Sequence, residues 1–319
     1  MLAEFMLTPD ALLAGFSRDG RDLADELRAC FLPGRTVPVA LLSKLGDEWE
    51  NAAAKKIARI NAAHRVNAMA VFQRLLSDAS LSRPSVRIHI DDENGWIQAA
   101  RSSNSQVTFE RIVVSPSAKP PMGNGLALTD FVSDGFWEGY ENPRPVARDL
   151  ASQEPVLKCV CAHSEWIIIR MPQINGGSGD ELATVKQIIQ LSNRLPTGFH
   201  KSAIDLHVCV QRGMSEQTLL EGVSSQLEQY VRQGVTIQLS LWPHFINREL
   251  IAGDLPKISS GEQIRRPLWY ITMNHVAVGR REANDTESGN TWSLLSRRRA
   301  FARHEVLKAA TPLHTLTLK

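Results

Sequence analysis

The sequence predicts an α+β protein: an N-terminal helical region over residues 1–85, a central β-rich region over 86–175, and a C-terminal α/β domain with a partly parallel sheet over 176–319. Three observations predict it. Apolar residues recur at three-to-four spacing before Ser82-Arg83-Pro84, alternation of period two sets in at Val86, and helical and strand patterns alternate from Gly176 onward. With 319 residues, 43% of them hydrophobic, the chain is long enough for two compact domains with cores of their own.

The elements follow in order. Leu23 and Leu27 precede a break at Pro33-Gly34, and residues from about Val39 to Ser77 predict one long helix rich in Ala, Leu, Lys and Arg. Pro84 stops it, since a proline disfavours the helical region for the residue before it. Val86, Ile88 and Ile90 alternate with Arg87 and His89 as a strand, and Val107–Val114 predicts another. Residues 115–155, punctuated by prolines and glycines, predict a long loop, and loops of that length are usually functional. Val156–Val160 and Trp166–Met171 then read as buried strands.

From Asp180 the pattern gives a helix to Leu195, a strand over Ala203–Val210, a helix over Ser215–Gln233 capped by Ser215, and a strand over Val235–Leu241. A helix between two apolar strands is a crossover unit and implies a parallel pair. Leu268–Met273 and Val276–Val278 give further strand, and Ser293–Ala309 closes as a basic helix.

Charge is the most informative compositional feature. The formal net charge is only +2, but residues 265–319 hold 10 Lys/Arg against 4 Asp/Glu, with the arginines in bursts. Arg265, Arg266, Arg280, Arg281, Arg297, Arg298, Arg299 and Arg303 are the expected nucleic-acid-binding residues, because a planar guanidinium donates paired hydrogen bonds to phosphate oxygens. DNA and RNA are equally compatible with that pattern. In the final helix Glu305 is the lone acidic residue, which predicts an external anion as counter-charge. No run approaches the ~18 apolar residues of a membrane span, no basic n-region precedes an apolar stretch at the N-terminus, and the four scattered cysteines build no disulfide framework. A cytoplasmic protein without membrane partners is expected.

Candidate chemistry is sparse. Cys159, Cys161 and His163 would line one face of a strand, as zinc ligands do, but no second ligand pair accompanies them. They read as two buried cysteines beside a satisfied histidine, and no metal is expected. Asn175–Gly179 lacks the Lys-Ser/Thr ending of a phosphate-binding loop and reads as an ordinary turn. No cofactor fingerprint appears elsewhere. His200, Lys201 and Asp205, with His275 and His304, supply the residue types of a phosphodiesterase, although adjacent His200 and Lys201 in a strand would point to opposite faces. Trp242, His244, Trp269, Tyr270, His275 and Trp292 gather near predicted strand ends, where parallel sheets bind ligands.

Val235–Leu241, then Arg266-Pro267-Leu268-Trp269-Tyr270-Ile271-Thr272, then Val276-Ala277-Val278-Gly279, resembles the C-terminal half of phospholipase D-like domains. That resemblance implies a bacterial protein of the kind found in defence and mobile-element operons, acting against phage or plasmids. It also implies a lost activity. Arg266 and Leu268 stand where the family carries its nucleophilic histidine and the basic partner, and phosphoryl attack requires a nucleophile. The expected function is therefore a non-catalytic accessory or scaffold subunit of a nucleic-acid-acting complex, with other protein subunits as partners. The alternatives are a phosphodiesterase or nuclease built from His200, Lys201, Asp205, His275 and His304, and a purely structural protein-interaction module.

Overall fold

In the computed structural model the chain divides into two compact units, Met1–Glu141 and Asn142–Lys319. The structure describes residues 3–17, 27, 30–31, 40–83, 90, 92–104, 109–137, 144–146, 150–172, 174, 180–192, 203–210, 213–255, 260–275, 290–295 and 297–318. The fold is α+β, with one fully parallel sheet and one mixed sheet.

The first unit is not a helical region. Its sheet is built from β1 (Ala3–Leu7), β2 (Ala40–Leu45), β3 (Ser80–Arg83), β4 (Arg111–Val114) and β5 (Gly125–Ala127), in the order β3-β2-β1-β4-β5, all parallel. The reason sequence patterning hid this sheet is burial. All five β1 residues are buried, including Glu4, so the strand shows no alternation of apolar with polar residues. The long helix predicted from Val39 is three elements: β2, α2 (Gly46–Ile57) and α3 (Ala62–Ala79). Helices α1 (Pro9–Ser17) and α4 (Glu93–Asn104) complete the packing. Two short helices, α5 (Leu128–Phe131) and α6 (Asp134–Trp137), bring Phe131 and Trp137 against Phe5 with ring centroids 5.0 and 5.5 Å apart.

The predicted loop over 115–155 is thus largely structured: it contains β5, α5, α6, β6 (Arg144–Val146) and the start of α7 (Leu150–Ala162). Pro155 sits inside α7, and it disguised that helix. The predicted strand Val156–Val160 is part of α7, and the proposed boundaries at 85/86 and 175/176 give way to one at 141/142.

The second unit is built on an eight-stranded sheet. Its remaining strands are β7 (Trp166–Met171), β8 (Ala203–Cys209), β9 (Ile237–Trp242), β10 (Glu249–Asp254), β11 (Arg266–His275), β12 (Asn290–Leu295) and β13 (His314–Leu318), in the order β13-β9-β8-β7-β10-β11-β12-β6. The crossover logic holds: β7, β8 and β9 are parallel, linked through α8 (Asp180–Ser192) and α9 (Glu216–Arg232). Ser215 caps α9 as predicted, accepting from the Thr218 amide at 3.1 Å. The predicted basic helix from Ser293 starts later. Asn290–Leu295 is β12, and α10 spans Arg297–Ala309.

The two faces of this sheet differ in character. One carries Ile167, Ile169, Leu206, Val208, Leu239, Leu241 and Leu250, all buried. On the other, α10 seats Ala300 and Leu307 on Trp166, Ile168, Ile251 and Tyr270, and the remainder of that face is polar.

Candidate functional site

The polar face is organised as a row. Cross-strand register aligns Thr315, Ser240, His207, Arg170, Glu249, Thr272 and Ser293 on seven consecutive strands, from β13 to β12. Residues in register point to the same side, so the row is one continuous stripe. Arg170, His207 and Ser240 stand next to last or third from last in β7, β8 and β9. The stripe therefore crosses the sheet near the carboxyl ends of its parallel strands, where α/β sheets bind ligands.

Glu249 is the hub. It is wholly buried and receives hydrogen bonds from three side chains. Arg170 Nη1 donates to Oε1, the Tyr270 hydroxyl donates to Oε2 at 2.7 Å, and Arg303 from α10 forks across the carboxylate, Nε to Oε2 at 2.9 Å and Nη2 to Oε1 at 2.5 Å. Burial by itself raises the carboxyl. The bonds from Arg303 and Tyr270 and the two guanidinium charges outweigh it and hold Glu249 below the usual carboxylate range. Burial lowers the Arg170 guanidinium, with Glu249 opposing that shift, and the pair stays ionised. Tyr270 is pushed up to about 12 by burial and by its bond to Glu249, so it serves as a donor and not as a phenolate.

A second pair lies alongside. Arg265 is bonded to Asp205, and its guanidinium lies 5.3 Å from the Trp166 ring centroid. His207 is 8% exposed and pushed down to about 3, by burial first and then by Arg170, so it is neutral. Its ring lies 5.2 Å from that of Trp242. The guanidinium of Arg170 is 4.0 Å from the ring centroid of Phe245, whose amide donates to Cys209 Sγ at 3.0 Å. The two groups together comprise three guanidiniums (Arg170, Arg265, Arg303) and two carboxylates (Asp205, Glu249). Three minus two leaves a surplus of one positive charge around a neutral imidazole.

The expected arginines are therefore placed apart. Arg265 pairs with Asp205, Arg266 forks onto Asp254 with Nε to Oδ1 at 2.9 Å, and half-buried Arg303 is a partner of buried Glu249. The counter-charge of Arg303 is thus internal and not an external anion. Arg298 and Arg299 are exposed on α10, Arg297 opens that helix, and Arg280 and Arg281 lie outside the described residues. With Ala300, Arg303, His304 and Leu307 turned inward, ~100° per residue puts Arg298 at the centre of the outer arc, with Arg299 and exposed Lys308 at its edges.

The alternative catalytic set does not converge. His304 packs on Trp166 with ring centroids 5.1 Å apart, at the start of β7. Trp166 stands opposite Gly253, which stands opposite Pro267, and His275 lies eight positions further along β11. At ~3.3 Å per residue the backbone of His275 is roughly 25 Å from that level. Asp205 is taken up by Arg265, and His200 and Lys201 lie outside the described residues. Cys159 and Cys161 lie on a helix and not on a strand, so they project about 200° apart and do not share a face, while burial raises the Cys161 thiol far above its ordinary value. Asn175–Gly179 and Val276–Gly279 also lie outside the described residues.

Sequence reading singled out Trp242, Tyr270 and Arg303, but not Arg170 or Glu249. A usable signal existed: a lone charge at the end of an otherwise apolar strand, as in Trp166-Ile167-Ile168-Ile169-Arg170 and Glu249-Leu250-Ile251-Ala252, is costly unless partnered.

The first unit has its own polar cluster where the strand order reverses, between β1 and β4. Glu93 at the start of α4 accepts from the Thr8 hydroxyl at 2.6 Å, the Ser115 amide at 2.7 Å and the Ser115 hydroxyl at 2.5 Å. Thr8 Oγ1 in turn caps α1 through the Ala11 amide at 3.0 Å. These bonds staple β1, β4 and α4 together and occupy the carboxylate.

Among the described residues no helix is long and apolar enough to cross a membrane. No family model and no curated protein matches the chain. Among solved structures it is similar to TrmBL2, an archaeal chromatin protein with a novel mode of DNA binding, at 9% identity over 80% of this chain and 84% of that one, with a TM-score of 0.29. It is also similar to histamine dehydrogenase from Rhizobium sp. 4-9, at 11% identity over 82% of this chain and 34% of that one, with a TM-score of 0.20.

Proposed function

We propose that the protein is a non-catalytic accessory subunit of a nucleic-acid-acting complex, recognising phosphate through its C-terminal unit. One observation carries this reading: the polar face holds a surplus guanidinium charge beside a histidine that is buried and neutral. Phosphate recognition needs such a charge, and the non-catalytic part of the proposal rests on Arg266 and Leu268, which stand where the resembling family carries its nucleophilic histidine and basic partner. Exposed Arg298, Arg299 and Lys308 extend cationic character to the outer arc of α10, and exposed Phe301 offers a ring on which a base can stack. The phospholipase D-like resemblance and a role in defence against phage or plasmids fit this reading and belong to it as proposals.

The experiment is a binding titration with labelled single- and double-stranded DNA and RNA, with and without divalent metal, followed by recovery of the strands. Salt-sensitive binding and intact strands are expected. Turnover that disappears in His275→Ala would replace this reading with the phosphodiesterase one.

A second reading has its own observation. Phe301 (57% exposed) and Val306 (56%) flank the outer arc of α10, and Leu313 (51%) follows the helix. Exposed apolar side chains of this size suit a protein partner, and saturable protein capture without any nucleic-acid binding would favour an interaction module.

A further inference from the structure

Three side chains of the polar face keep unused hydrogen-bonding nitrogens. Arg170 Nε, His207 Nδ1 and Trp242 Nε1 are all buried and have no hydrogen-bond partner, although the residues are only 5%, 8% and 8% exposed. They are neighbours. The Trp242 ring lies 5.2 Å from His207 and 5.9 Å from the Arg170 guanidinium. Buried N–H groups are nearly always paired, and each orphan costs free energy. Three together, on adjacent parallel strands near their carboxyl ends, beside a surplus positive charge, are arranged for something that accepts.

We infer that Arg170, His207 and Trp242 form a binding site for a terminal phosphate group, such as that of a mononucleotide or a strand end. The chemistry matches group by group. Arg170 has spent Nη1 on Glu249 and retains its Nε–H. Trp242 is a donor only, so it needs an acceptor, and a phosphate oxygen supplies one. His207, neutral, donates from Nδ1 in one tautomer without adding charge. A phosphate supplies several acceptor oxygens and compensates the surplus charge left by Arg170, Arg265 and Arg303 over Asp205 and Glu249.

The cover is identifiable. Phe245 lies over the Arg170 guanidinium at 4.0 Å, and the connection from Pro243 to Asn247 between β9 and β10 is otherwise exposed. The Phe245 amide is bonded to the Cys209 sulfur, a weak acceptor, so lifting Phe245 is inexpensive relative to breaking a strand.

This site deepens the reading of the C-terminal unit as a phosphate binder, but it is separate from the outer arc of α10, and the test separates the two. The full chain is titrated calorimetrically with inorganic phosphate, a nucleoside 5′-monophosphate and acetate, and each sample is then tested for oligonucleotide binding. One saturable site for phosphate and the monophosphate is expected, with acetate weaker. Trp242→Phe keeps the ring and loses the N–H, and should weaken phosphate binding about 10- to 100-fold, as loss of a charge-assisted hydrogen bond does. Phe245→Ala, on the exposed connection, should bind phosphate with faster association. No heat with phosphate, unchanged affinity in Trp242→Phe, or acetate binding as tightly as phosphate would each overturn the site. Oligonucleotide binding that survives without phosphate binding would sink this site alone. The reverse pattern would leave the site standing and remove the α10 contact.

Discussion

Replacing Glu249 by Gln is the sharpest perturbation of the C-terminal unit. The amide keeps the shape of the carboxylate but removes the charge that Arg170 and Arg303 share, and its NH2 group turns a donor toward a cluster of donors. Glu249 is wholly buried and Arg170 nearly so, so water cannot replace the lost partner. Breaking a buried pair by removing one side costs roughly 3–5 kcal/mol. Here two guanidiniums lose the charge they share, and one of the two oxygens serving them and the Tyr270 hydroxyl becomes a donor, which places the expectation toward the upper end of that range. For the unit of 178 residues (142 to 319), roughly 2–4 °C per kcal/mol gives a Tm lower by about 6–20 °C. Calorimetry of the full chain reads this directly as a shift of one transition, since Glu249 belongs to the second unit. Adding Arg303→Met to Glu249→Gln should recover part of the loss, because the double variant buries one uncompensated charge fewer. A single-variant loss under about 1 kcal/mol, or a double variant worse than the sum of the singles, would refute the hub.

Two further outcomes follow from the same geometry. Stability should fall as pH drops from about 6.5 toward 3. His207 stays neutral in the folded unit down to about 3 while the unfolded chain takes up a proton near 6.5, so the unfolded state binds more protons in that window, and the loss is on the order of a few kcal/mol. Burial also lowers His304 and works in the same direction, and Glu249, held low, adds its loss below the ordinary carboxylate range; a flat urea-midpoint profile over this window would contradict the burial of both imidazoles. Gly253→Ala should cost roughly 1–3 kcal/mol. A Cβ there would meet the Arg266 carbonyl oxygen at 2.0 Å, where β10 and β11 shift register, and a fully stable variant would mean that the two backbones do not approach so closely.

What the sequence disclosed followed from what burial leaves visible. The crossover unit β7-α8-β8-α9-β9 was legible because α9 alternates Leu219, Val223, Leu227 and Tyr230 inward with polar residues outward, and Ser215 marks its start. β1 was not legible, because five buried residues in a row carry no period. α7 was hidden by Pro155, and the long helix from Val39 concealed β2, whose Ala, Leu and Lys residues are good helix formers. The arginine excess of the last 55 residues was real in composition, but its meaning depended on long-range partners. Asp205 lies 60 positions before Arg265 and Glu249 lies 54 before Arg303, separations that no local pattern reports. The row formed by Arg170, His207 and Glu249 is set by strand register, which joins residues 37 and 79 positions apart.

Whether the C-terminal unit holds nucleic-acid phosphates without cleaving them is read from the salt dependence of binding. Arg303 is excluded from the variant, since removing it would break the Glu249 hub; Arg298, Arg299 and Lys308 are changed to Ala together. Fluorescence anisotropy of a labelled oligonucleotide is followed from about 50 to about 200 mM salt, and the strand is recovered afterwards. The three substitutions should flatten the slope of log K against log salt by about two to three units, with the strand intact throughout. Binding absent at the lowest salt, or a slope that the triple variant leaves unchanged, would contradict it.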